Sequence, residues 1–371
     1  MRGATLGLGL LVLTGCAETR PVESSQPNPA SGPRAVIVVP FDASSLPPND
    51  QWIGDGVAQL VSLGLVQHSG LVQLGRARVR AVSDPDVWTE TIVRRTAREL
   101  HADAALYGRV RQESDGFVIE PLLLSLRTGG VASLPTLTVS RTDFLQRVAP
   151  LPALYARQLQ PTSDVVSARI ERAARPTASL RAFELFTRGQ MALYRGDAEA
   201  AVDPLLLAIE ADSRQFVVAQ YALGVAHVTL GNRWKAAAQF RASTQLDPWM
   251  PEPYKALGDL FLAAPRRLFL QAAEAYDRAI QLRPSYADAW VGFGDARAAN
   301  DDVDGALTAY QHALKYDPFN PVTHAKLGKI WADRGLCAES ASAYKRAREL
   351  DPRAVDVQAA APCAKSRPTT P

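Results

Sequence analysis

The sequence predicts an α/β amino-terminal domain, built on a mixed sheet covered by helices, followed by an all-α solenoid of repeated helix pairs. Three observations predict it. Between residues 35 and 160, short β-branched runs alternate with apolar residues at helical spacing. From about residue 178, glycine recurs at 189, 224, 258, 294 and 328, in steps of 35, 34, 36 and 34. The chain's 371 residues, 47% hydrophobic and 21% charged, are too many for one core and too apolar for a disordered chain.

The charge balance, 41 Lys+Arg against 38 Asp+Glu, leaves +3, too little for a general nucleic-acid binder that must neutralise many phosphates. Three cysteines cannot build a four-ligand zinc site alone, and His68, His101, His227, His312 and His324 are scattered. No metal and no cofactor is expected.

Met1-Arg2 is a minimal positive start, and Ala4 to Thr14 is about half the ~20 apolar residues a spanning helix needs, so residues 1–15 read as a signal peptide. The run ends in Leu13-Thr14-Gly15-Cys16, which resembles the lipobox of bacterial lipoproteins. That resemblance implies cleavage before Cys16, acyl chains such as palmitate on it, and a cell-envelope location. The alternative is an ordinary signal peptide with a chance cysteine; the Cys directly after the apolar core counts against it. Ala17 rather than Asp after the Cys favours, by analogy with enterobacterial sorting, an outer membrane and a periplasm-facing protein. Loss of Arg2 leaves 40 − 38 = +2 on the mature chain. Residues 16–34, with Pro21, Pro27, Pro29 and Pro33 and several serines, should be a disordered tether of at most ~60 Å.

Residues 35–160 form the α/β domain. Ala35 to Phe41 is a β-branched run suited to a buried strand, and residues 52–67 set Trp52, Val57, Leu60, Val61 and Leu65 at helical spacing. Leu71 to Leu74 is a second strand and Thr91 to His101 an amphipathic helix. Ala104 to Arg111 and Phe117 to Leu126 flank the hairpin signal Glu113-Ser114-Asp115-Gly116. Val131 to Val139 is a further strand and a helix over about 142–159 closes the domain, in the order βαβαβββα. Val38-Val39-Pro40-Phe41-Asp42, Trp52-Ile53-Gly54-Asp55-Gly56, Ala97 to Ala104 and Tyr107-Gly108-Arg109-Val110 resemble the amino-terminal-domain family of TolB. The resemblance implies an envelope or signalling setting and brings no catalytic residue. Arg94, Arg95 and Arg98 read as a solvated face. The space between Pro40-Phe41-Asp42 and Trp52 to Gly56 is a candidate pocket, because strand ends facing helix N-termini commonly take ligands in α/β sheets.

After a linker over 161–177, residues 178–353 hold five units. Ala or Ser recurs at 201, 236, 272, 306 and 340, and a large residue at Leu205, Phe240, Tyr276, Tyr310 and Tyr344. Four units close on Pro248, Pro284, Pro318 and Pro352, preceded by Asp or Arg. The pattern resembles the tetratricopeptide repeat (TPR), two antiparallel helices per unit. Gly and Ala sit where helices approach, large residues fill the gaps between units, and Pro ends the second helix. Two extra residues around Ala263 to Arg267 should lengthen the third unit's loop. The resemblance implies a concave face, lined by each first helix, that binds an extended segment. Phe186, Tyr221 and Val225 give it an apolar start, Asp259, Asp288 and Asp295 an acidic middle. That would suit a partner with an apolar anchor followed by basic residues. The alternative is that Phe183, Phe186 and Tyr221 pack against the preceding domain.

Asn300 to Gly305 imitates half a calcium loop, but Gln311 stands where a bidentate Glu is needed, and a helix cap is the better reading. With Cys16 lipidated, Cys337 and Cys363 form an even pair in an oxidising compartment, and a disulfide would fasten a short capping helix in 354–371. The alternative is two free thiols. Neither a nucleophile elbow nor a complete phosphate loop nor an H-E-x-x-H motif is present. The function expected is a non-enzymatic, membrane-anchored adaptor that recruits an envelope protein or peptide segment. The alternatives are a sensor whose α/β domain takes a small ligand or glycan, and an envelope hydrolase.

Overall fold

The β-branched run at the head of the α/β domain forms β1 (Arg34–Val38) in a computed structural model that describes residues 33–68, 70–160, 167–212, 216–266 and 268–352. Its side chains are buried on both faces. Val36 and Val38 join a core with α1 (Trp52–Leu65), whereas Ala35 and Ile37 join a second core on the opposite side of the sheet. A strand covered twice has no polar face, so its sequence is continuously apolar.

The chain continues through β2 (Leu71–Gln73), α2 (Arg76–Val82) and α3 (Glu90–Glu99). Then come β3 (Ala104–Glu113) and β4 (Gly116–Ser125), the expected hairpin, followed by β5 (Val131–Ser133) and β6 (Leu137–Ser140). The sheet runs β2-β1-β3-β4-β5, with β6 also on β4. β1 is parallel to both β2 and β3, and the remaining pairs are antiparallel, so the sheet is mixed as expected.

Three expectations for this domain change. The strand expected over 131–139 is two short ones that pair with successive stretches of β4, Leu122 to Leu124 and Gly116 to Ile119. The ladder breaks between them at Pro135, which has no N–H to give; just before it the Leu134 N–H still reaches the Pro121 carbonyl at 3.0 Å, and Pro121 has no N–H to return. The closing helix is likewise two, α4 (Phe144–Val148) and α5 (Leu151–Leu159), parted at Pro150. And α2 was not foreseen: its sequence, RARVRAV, buries only Arg76 and Val79.

Where a linker was expected, α6 (Ser167–Ala173) packs on α1 and α5, with Ile170 2% exposed. The solenoid follows as five antiparallel pairs: α7 (Leu180–Tyr194) with α8 (Ala198–Ala211), α9 (Val217–Thr229) with α10 (Arg233–Leu246), α11 (Pro251–Leu262) with α12 (Phe269–Leu282), α13 (Ala287–Ala299) with α14 (Val303–Tyr316), and α15 (Pro321–Asp333) with α16 (Cys337–Leu350). This is a TPR-type solenoid. Its recurring glycines permit contact: a Cβ on Gly258 would lie 2.8 Å from the Tyr276 ring, and one on Gly294 2.5 Å from Tyr310. Each large residue thus seats on the glycine of its own unit, and Tyr276 approaches Gly292 of the next unit more closely still. Gly196, Gly231 and Gly335 turn between paired helices at φ of 80°, 75° and 74°, and Asp301 takes the same left-handed conformation at 62° in the fourth unit. There the calcium-like segment is a helix cap, with Asp302 Oδ1 accepting the Gly305 N–H at 2.9 Å.

The α/β domain meets the solenoid twice. Trp52 of α1 packs edge-on to Phe183 of α7 with ring centroids 6.1 Å apart, and one continuous apolar core runs from the sheet into α9. At the far end, Phe319 packs against the second core, and Arg78 of α2 donates to the carbonyls of Phe319 and Leu350 at 3.2 and 3.3 Å. The array therefore bends so that its last units return to the domain its first unit abuts.

Candidate functional site: the first-helix face of the solenoid

First helices pack on one another from unit to unit, α7 on α9 and α11 on α13, which is how the inner face of a curved array is made. The six residues singled out from the sequence are distributed along this face, and the structure treats them differently.

Phe186 does not line an open groove. It is 1% exposed, with its ring 6.1 Å from Phe183 and 5.2 Å from Phe216. The reason is its neighbours: Phe183, itself packed under Trp52 of α1, and Phe216 at the start of α9 enclose the ring, so a groove position becomes core. Tyr221 and Val225 are half-buried, leaning on a cluster that contains Phe240 and Leu257; the Tyr221 and Phe240 rings are 5.6 Å apart. Val228, one turn further, is 44% exposed.

The acidic middle is present, but most of it is matched by cations. Asp259 accepts from Lys255 Nζ at 2.8 Å and from the Tyr276 hydroxyl at 2.8 Å. Asp295 accepts from the Tyr310 hydroxyl and from Lys326 Nζ, each at 2.6 Å. Glu252, on the same face, pairs with Arg283 at 2.6 Å. Asp288 is exposed and makes no hydrogen bond or ion pair among the described residues. The Asp–Tyr pairs repeat because Gly-Asp occurs in both the third and fourth units, which places a carboxylate one residue past the close approach of the helices. Burial, then the carboxylates beside them, push the Tyr276 and Tyr310 phenols well above their ordinary range, so both remain neutral donors.

Sequence reasoning missed the cluster at the centre. Arg283 is 5% exposed and stacks over the Tyr286 ring with 3.9 Å to the centroid. Burial works against its charge, but Glu252 and the phenol of Tyr286 hold it protonated. Tyr221 is pushed up by burial and then by Glu252, Asp259 and Asp288, which places it beside the same carboxylates. A signal was present: Arg283 stands before Pro284 where three other units have Asp247, Asp317 and Asp351. Asp247 and Asp317 close a turn there, accepting the Trp249 and Phe319 N–H at 2.9 and 3.0 Å. An arginine there is free to reach across to the first helix instead.

The space foreseen between Phe41 and α1 is closed, because Gly54 lies directly against the Phe41 carbonyl. A cavity opens beside it, lined by Pro40, Asp55 and Arg76 among others. Among the described residues no group of three or more His, Cys, Asp or Glu could hold a metal, and no helix is long and apolar enough to cross a membrane. Cys337 opens α16 and is disulfide-bonded. Cys16, the lipobox and Cys363 lie outside the described residues.

No family model matches the chain. A segment of 103 residues is 30% identical to the probable UDP-N-acetylglucosamine–peptide N-acetylglucosaminyltransferase SPINDLY of Hordeum vulgare, covering 28% of this chain. The chain spans 11% of that relative's length. Similar solved structures include MamA, 24% identical over 44% of this chain and 95% of that one, with a TM-score of 0.38. TTC0263, a thermophilic TPR protein of Thermus thermophilus, is 19% identical over 49% and 97%, at 0.42. PilF of Pseudomonas aeruginosa is 16% identical over 48% and 79%, at 0.44.

Proposed function

We propose that the chain is a lipid-anchored lipoprotein of the cell envelope, facing the periplasm from the outer membrane. Its TolB-like α/β domain and TPR solenoid act together as a non-enzymatic adaptor, and the solenoid's inner face recruits an extended segment of an envelope protein. The observation that carries this reading is the ladder of reachable first-helix residues in successive units, Tyr221, Val225, Asp259, Asp288 and Asp295. With Phe186 closed off, the apolar anchor of the partner falls on Tyr221 and Val225. With Asp259 and Asp295 already paired, Asp288 is the carboxylate left for a basic residue. Cys16 supplies the membrane anchor, and a Cys337–Cys363 disulfide fastens the end of the array.

The test is a pull-down from native membranes with the wild-type chain and with Val225→Asp and Asp288→Lys variants, alongside fractionation of Cys16→Ser. A specific partner retained by wild type and lost by both groove variants is expected, with Cys16→Ser released from the membrane. Equal recovery by all three chains sinks the groove assignment; a membrane-bound Cys16→Ser sinks the anchor. A second reading, a sensor whose α/β domain takes a small ligand, is supported by the cavity beside β1.

A further inference from the structure

The parallel part of the sheet contains a switch in direction. From β1 the chain crosses one face through α1 to β2, then returns over the other face through α2 and α3 to β3, on the far side of β1. Open α/β sheets take ligands at such points, outside the C-terminal ends of the strands. The cavity lies there, with a volume of about 110 Å³ and walls from Val38 and Pro40 at the end of β1, Asp55 of α1, Arg76 of α2, Trp88, and Tyr194 of α7.

Arg76 is the unusual member. It is 8% exposed, its Nη1 donates to Asp55 Oδ1 at 2.9 Å, and its guanidinium stacks over the Tyr194 ring at 5.1 Å. The opposite edge, Nε and Nη2, is buried with no hydrogen-bond partner among the described residues. Buried donors of a charged group are rarely left unmatched, because desolvation is not repaid without an acceptor. That edge presents two parallel N–H groups, the geometry that meets both oxygens of a carboxylate.

Charge and size narrow the ligand. The lining carries Arg76, Arg80 and Arg195 against Asp55, Asp84 and Asp86, a balance of zero. One added negative charge bonded directly to Arg76 is tolerable there, but a dianion would face three carboxylates without surplus cations. The volume admits a headgroup of a few atoms, well below the ~300 Å³ or more of a drug-sized site. We propose that this cavity binds the carboxylate of a small organic acid, anchored on Nε and Nη2 of Arg76. The assignment rests on the sensor reading and goes beyond it by naming the ligand class. Because Tyr194 belongs to the first helix of the solenoid, a bound acid would also brace the seam between the two domains.

The test uses the purified full chain with acetate and pyruvate as probes and inorganic phosphate as contrast, followed by ligand-observed NMR titration. Saturable binding of both acids is expected, with a Kd in the millimolar range for ligands so small. Arg76→Gln should weaken it about tenfold or more, and Asp55→Asn, which frees the guanidinium from a competing carboxylate, should tighten it by a similar factor. Should Arg76→Gln fail to fold by thermal melting, Arg76→Lys keeps the charge without the fork and should weaken binding likewise. Acids that do not saturate, or bind unchanged to Arg76→Lys, overturn the proposal. Phosphate binding in their place overturns the carboxylate assignment and leaves the sensor reading standing, whereas silence from all three probes counts against both.

Discussion

Phe183 and Asp288 occupy the same place in their repeats, six residues before the glycine of the unit, yet Phe183 is fully buried and Asp288 exposed. In the first unit α1 lies across that position and an aromatic residue completes a core shared with the α/β domain. In the fourth unit the position is exposed and acts electrostatically on Tyr221, Arg283 and Tyr286. Position in a repeat fixes which way a side chain leaves its helix. What stands opposite decides whether it becomes core or binding surface.

The contrast can be broken most severely at its apolar end. Phe183→Ala should destabilise the chain by about 3–5 kcal/mol, since a buried ring is lost and its cavity cannot be refilled. Hydrogen exchange should rise first in α1 and α7, with α13 changed least. Uniform loss of protection would mean that the two regions unfold as one.

At the polar end, Arg283→Ala leaves Glu252 partly buried and without its cation, at roughly 3 kcal/mol. Arg283→Met together with Glu252→Gln should recover most of that in urea unfolding, because no unmatched charge remains. If the double variant is as unstable as the single one, the pair does more than neutralise itself.

Asp317 sharpens the comparison through pH. Burial pushes its carboxyl up from 3.8 to about 6. A raised folded pKa means that the folded state binds the proton more tightly. The stability from this group is therefore complete below the unfolded value and is lost as pH rises through about 6. Asp317→Asn retains an acceptor for the Phe319 N–H and cannot ionise. Going from pH 7 to pH 4.5, wild type should gain on the order of 1–2 kcal/mol relative to the variant. Parallel pH profiles would contradict the buried carboxyl.

The smallest effect is expected at Asp295–Lys326, a partly exposed pair. Lys326→Ala should cost about 1 kcal/mol at low salt and less at high salt. A salt-independent loss would point instead to the contact of the Lys326 ammonium with the Tyr310 ring, 6.0 Å from its centroid.

Much of this architecture was legible in the chain. The glycine period and the alternating Ala and large residues identify every helix pair, and prolines close four of the five units, because those residues act mainly within a unit. The residues that failed needed a partner the local pattern does not contain. Phe186 looked like groove lining until Phe183, held under Trp52 of α1, and Phe216 of the next unit enclosed it. Glu252–Arg283 and Asp295–Lys326 each join residues 31 apart, so an acidic face read one helix at a time appeared unopposed. Pro135 was visible, but its effect depends on where β4 lies beside it, with Leu134 bonded to the Pro121 carbonyl across the sheet. The α2 helix hid because its arginines obscure any apolar period, and one of them, Arg76, now has the strongest claim to a ligand.

Site-specific photo-crosslinking in cells tests most directly whether the inner face is the binding surface. A crosslinker placed in turn at Val225 and Asp288, and on the outer helices at Leu206 and Arg241, would be compared for adducts of defined mass. A shared adduct from the two inner positions and none from the outer pair is expected. Adducts of equal yield from Leu206 and Arg241, with none from Val225 or Asp288, would place the partner on the opposite face and contradict the assignment.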